Sequence, residues 1–70
     1  MMKNEIIEAL ADIFETEDFT EETLLETLPW DSMAMLSVVA LAKKSNITLS
    51  GATIREFETV GDILAALKAE

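Results

Sequence analysis

The stretch Trp30-Asp31-Ser32-Met33-Ala34-Met35-Leu36-Ser37-Val38-Val39-Ala40-Leu41-Ala42-Lys43-Lys44 decides how this chain folds. Pro29 ends what comes before it and favours an extended residue ahead of itself. From Met33 to Ala42 every residue except Ser37 is apolar. The spacing predicts a helix from Ser32 to about Ser45. At 3.6 residues per turn its apolar side chains form two stripes. Met35, Val38, Val39 and Ala42 point one way, and Met33, Leu36 and Ala40 point nearly the opposite way. A helix apolar on both sides is either wrapped by neighbours or presents a sticky face. A chain this short has too few helices to wrap it. One stripe is therefore expected in the core, and the other at the surface beside Ser32. Lys43 and Lys44 suit the negative end of the helix dipole, and Asn46 can end the helix.

Working outward, the N-terminal side reads as one amphipathic helix and a long connection. Ile6, Ile7, Leu10, Ile13 and Phe14 share a face, with Glu5, Glu8, Asp12 and Glu15 opposite. This predicts a helix from about Lys3 to Glu15, capped by Asn4. Residues 16–31 form no regular element, although Thr20 can cap a short turn through Leu25. Leu24, Leu25 and Leu28 offer anchors to a core, and Trp30 reads as a plug at the loop end or as a partner contact. A connection of this length is usually functional or packed by its own side chains. On the C-terminal side, Ile47-Thr48-Leu49 is a connector with buried anchors. Ser50 or Gly51 opens a short helix over about Ala52 to Phe57. Thr59 with Asp62 three residues later has the pattern of a capping box. Val60, Ile63, Leu64 and Leu67 then give a core stripe to the end. The fold expected is all-α: a single domain over residues 1–70, a small four-helix bundle of three principal helices and one short one, with a long first loop.

Composition narrows the function. The chain has 70 residues, no cysteine and no histidine. Disulfides are impossible, and the commonest general base and zinc ligand are missing. The formal net charge of −9 argues against nucleic-acid binding. The charge is unevenly placed. Residues 1–31 hold ten acidic side chains and only Lys3 as a base, while residues 32–70 hold four of each sign. No apolar run reaches membrane-spanning length and the start lacks a secretion-signal pattern, so a soluble cytoplasmic protein is expected.

Ser32 stands where a loop meets a helix N-terminus. Unpaired N–H groups and the positive dipole end favour a phosphate ester there, and serine is also a common helix cap. Asp31-Ser32-Met33, the Thr59-Val60-Gly61-Asp62-Ile63 opening of the last helix, the helix order and the acidic balance together resemble the acyl carrier protein family across essentially the whole chain. The resemblance implies that a phosphopantetheinyl transferase moves the 4'-phosphopantetheine of coenzyme A onto Ser32. The arm then holds acyl groups as thioesters for acyl-loading and acyl-transferring enzymes. Such a protein is not an enzyme and binds no metal. It implies a transferase-recognition role for Asp31, or a dipole-stabilising one. A sheltered chain is expected near Met35, Val39, Ile54 and Ile63, and partner contact at Met33, Leu36 and Ala40. A monomer is expected. Fatty-acid carriers display acidic residues along this helix, whereas the corresponding positions here resemble Ala34, Ser37, Lys43 and Lys44. That points away from the housekeeping role in fatty acid biosynthesis and toward a specialised lipid or secondary-metabolite pathway. Peptidyl carriers usually have glycines where this chain has Pro29-Trp30. An aminoacyl or peptidyl carrier, and an unmodified helical interaction module, are the alternative readings.

Overall fold

The computed structural model describes residues 2–68. They form four α-helices: α1 (Lys3–Phe14), α2 (Ser32–Lys43), α3 (Gly51–Arg55) and α4 (Val60–Ala66), with a 3₁₀ turn at Leu25–Thr27. Among the described residues there is no strand, only an isolated antiparallel bridge between Leu24 and Thr59. The radius of gyration is 10.7 Å, close to the roughly 11 Å of a folded chain this long.

The helices form where the apolar periodicity puts them. Ile6, Leu10 and Phe14 of α1 meet Val38, Leu41 and Ala42 of α2 and Val60, Ile63, Leu64 and Leu67 at α4 in one core, with Leu25 from the loop. α1 and α2 pack directly on each other. Phe14 closes the core edge, with Phe19 at 5.5 Å and Trp30 at 6.2 Å between ring centroids, both edge-on. Trp30 thus packs against the core at the loop end.

Helix ends differ in part from the sequence reading. Met2 occupies the cap position of α1 and offers no side-chain cap, so Asn4 lies inside the helix and does not cap it. α1 ends with Glu15 in the left-handed region (φ 58°), and α2 is followed by Asn46 in the same region (φ 61°). In each case the two N–H groups at and after the left-handed residue reach back to carbonyls of the last turn, which satisfies orphan acceptors. α3 begins a residue earlier than expected, because the Ser50 hydroxyl accepts from the Thr53 N–H and caps it. The capping box of α4 is complete: Thr59 accepts from the Asp62 N–H and Asp62 from the Thr59 N–H. The helix ends at Ala66, and residues 69–70 of the expected run lie outside the described residues.

The long loop is fastened to the start of α4. Leu25 N–H donates to the Glu58 carbonyl (2.8 Å), Val60 N–H to Thr23 (3.1 Å) and Gly61 N–H to Glu21 (2.8 Å). Gly61 suits that approach, since a Cβ there would lie 3.0 Å from the Glu21 carbonyl oxygen and the loop would have to give by a few tenths of an ångström. Thr20 and Thr23 close the turn before the seam through their hydroxyls and backbone. The loop therefore has a fixed path, and it delivers Trp30, Asp31 and Ser32 to one end of the core.

Candidate functional site

Asp31, not Ser32, caps α2. The Asp31 backbone is extended and its Oδ1 accepts from the Ala34 N–H at 2.9 Å. Ser32 is the first helical residue and is exposed. Its hydroxyl is therefore not committed to capping. The other serines differ. Ser37 donates to the Met33 carbonyl at 3.0 Å, Ser50 caps α3, and Ser45 lies beyond the end of α2. An exposed hydroxyl on the first residue of α2, with N–H groups of the first turn around it, is a chemically accessible place for an ester.

Ser32 opens on a groove of about 400 Å³ between α2 and α3. Its walls are Met35, Leu36 and Val39 from α2, Leu49 from the connector, and Gly51, Ile54 and Arg55 from α3. Met35, Val39 and Ile54, three of the four expected cargo residues, line this groove together. Ile63 does not: it is 0% exposed in the core with its α4 neighbours. Its place is dictated by the α4 stripe, which shares one core with buried residues of α1 and α2. Arg55, which the sequence reading passed over, is the sole charged side chain on the groove wall. No local pattern marks it, because only the fold places it on the groove that Ser32 also lines. A second cavity of about 480 Å³, lined by Leu24, Leu25, Leu28, Trp30, Phe57, Glu26 and Glu58, shares Met35 and Arg55 with the first.

The second stripe of α2 faces outward. Met33 is 77% and Leu36 68% exposed, and Ala40 is exposed on the same side. Ala34 is buried, so it faces the core and is no surface counterpart of an acidic recognition position. Ser37, Lys43 and Lys44 are exposed. Among the described residues no cluster of three or more Asp or Glu is arranged to hold a metal ion, and no helix is long and apolar enough to cross a membrane.

Comparison with protein-family models, with curated proteins and with solved structures finds no match for this chain.

Proposed function

We propose that this protein is an acyl carrier protein of a specialised lipid or secondary-metabolite pathway. In this reading the four helices act as a small bundle, three principal and one short, that presents Ser32 on a monomer in the cytoplasm. A phosphopantetheinyl transferase attaches 4'-phosphopantetheine to the Ser32 hydroxyl, with Asp31 as a recognition residue. In that step Ser32 Oγ bonds to the pantetheine-side phosphorus of coenzyme A, the P–O bond of the pyrophosphate to the adenosine side breaks, the serine proton leaves to a base, and adenosine 3',5'-bisphosphate departs. The arm supplies the thiol that this cysteine-free chain lacks. The chain itself catalyses nothing. Acyl-loading and acyl-transferring enzymes dock on Met33, Leu36 and Ala40, and the α2–α3 groove receives cargo against Met35, Val39 and Ile54.

The observation that supports this most is the uncommitted Ser32 hydroxyl at the mouth of an apolar groove, with capping left to Asp31. The test is intact mass after incubation with coenzyme A and a promiscuous transferase. One arm is expected per chain, and none in Ser32→Ala. Because Ser32 is not the cap, Ser32→Ala is expected to leave helicity and melting temperature unchanged or slightly raised, alanine being the better helix former. An arm that still attaches to Ser32→Ala overturns the assignment. A second reading, an unmodified helical interaction module, draws on the exposure of Met33 and Leu36. It is favoured if the wild-type chain gains no mass.

A further inference from the structure

We propose that Arg55 pairs with the phosphodiester carried on Ser32 and so directs the first link of the arm over the α2–α3 groove, an inference that rests on the carrier reading. Ser32 and Arg55 line the same groove, and every other wall is a glycine or an apolar side chain. The phosphate is the one part of the arm whose position Ser32 fixes, since it is bonded to Oγ. A guanidinium presents a planar fork of N–H donors that matches two phosphate oxygens, and apolar walls lessen the screening of such a pair.

The other cations are placed elsewhere. Lys3 is held by Glu21 at 2.7 Å. Lys43 and Lys44 stand at the far end of α2, and Lys68 follows α4. Arg55 is exposed, and among the described residues no carboxylate lies within 4.0 Å of its guanidinium. Carboxylates that compete for it include Glu26 and Glu58, which border the second cavity with it, its exposed chain neighbour Glu56, and Asp31, which precedes the ester site. Asp31 repels a phosphate on Ser32, and Arg55 supplies the opposite charge from the facing helix.

The test places a phosphate on position 32 without any transferase. A chain of 70 residues is within reach of chemical synthesis with phosphoserine at position 32. The second ionisation of a phosphate monoester falls near about 6, and phosphorus NMR follows it directly. A nearby cation favours the dianion and lowers that midpoint. Arg55→Gln is expected to raise it by about half a pH unit at 0.1 M salt, the effect of one charge at close range in a partly solvated site. Arg55→Lys is expected to restore most of the shift. Lys43→Gln is expected to change nothing, because it lies about 16 Å down the helix, beyond a Debye length of about 10 Å. Circular dichroism checks that each variant is folded. An unchanged midpoint in Arg55→Gln, or an equal rise in Lys43→Gln, overturns the proposal. The mass experiment on the unphosphorylated chain tests the carrier reading separately. A chain that takes the arm but shows no shift loses only the Arg55 contact; one that shows the shift but takes no arm loses the carrier reading, and with it the role of Arg55 in directing the arm, and keeps only a phosphate contact.

Discussion

A single carboxylate, Asp31, caps α2 and, in the carrier reading, also meets the transferase, and the two roles separate by substitution. As a cap it needs only an acceptor oxygen for the Ala34 N–H. As a transferase contact it needs charge. Asp31→Asn keeps the acceptor, so its melting temperature is expected to match the wild type, while Asp31→Ala loses about 1 kcal/mol. Arm attachment is expected to slow about tenfold or more in both, on the scale of a lost charged hydrogen bond. Attachment at the wild-type rate in Asp31→Asn would assign the residue to capping alone. Which of Asp31 and Ser32 caps α2 was not legible beforehand. Both are good caps, and a shift of one residue in helix start decides between them. Asn4 misled for a related reason: a cap-forming residue near a helix start does not compel the helix to begin after it.

Among the elements, the two long helices were legible because their apolar residues repeat every three or four positions. Ile6, Leu10 and Phe14 are buried as their spacing predicts, and so are Val60, Ile63, Leu64 and Leu67. The split of α2 was legible in part: Val38 and Ala42 are buried and Met33, Leu36 and Ala40 exposed, but Met35 and Val39 of the expected core stripe are only half-buried, and Ala34 and Leu41 take their place in the core. The exit of α1 carries a removable cost. Glu15 takes a left-handed backbone that disfavours a side chain, and it puts a negative charge at the negative end of the dipole. Glu15→Gly is expected to stabilise the protein by about 1 kcal/mol, read as a rise of about 4–8 °C in melting temperature. Glu15→Gln isolates the charge contribution. A fall in melting temperature for Glu15→Gly would show that the side chain holds the loop. The exposed stripe of α2 makes its own prediction. If it is the docking face, Leu36→Glu sharply weakens binding to the cognate loading enzyme, and wild-type affinity changes little across a salt series. Steep salt dependence with little effect of Leu36→Glu would move recognition to the acidic residues before Ser32.

At the scale of the whole molecule, the fastening of the loop to α4 was the least legible feature. It pairs residues 35 apart in sequence, Leu24 with Thr59, and no local pattern announces a contact of that kind. The capping box beside it was legible from Thr59 and Asp62 alone, and it gives the seam a pH response. The Glu58 N–H at 2.8 Å, and then the Thr59 N–H at 3.1 Å, hold the Asp62 carboxyl below its usual value of 3.8. A carboxyl depressed in the folded state contributes stability that is present above its unfolded value and is lost as pH falls through the folded one. Acid also relieves the repulsion among the other carboxylates, so the measurement is the stability difference between wild type and Asp62→Asn. That difference is expected to be constant above about pH 5 and to shrink below 3.8. A difference independent of pH would mean that the charge of Asp62 contributes nothing. The seam has a further consequence in time. Synthesis delivers α1, the acidic loop and all of α2 before it delivers residues 58–61. Until then Glu21, Thr23 and Leu25 have no partners for the hydrogen bonds that fix the loop. The helix bearing Ser32 is thus written out early, but the approach to it is set only after Gly61 has been made, so a nascent chain offers the serine on a loose hinge and the folded chain offers it on a fixed one.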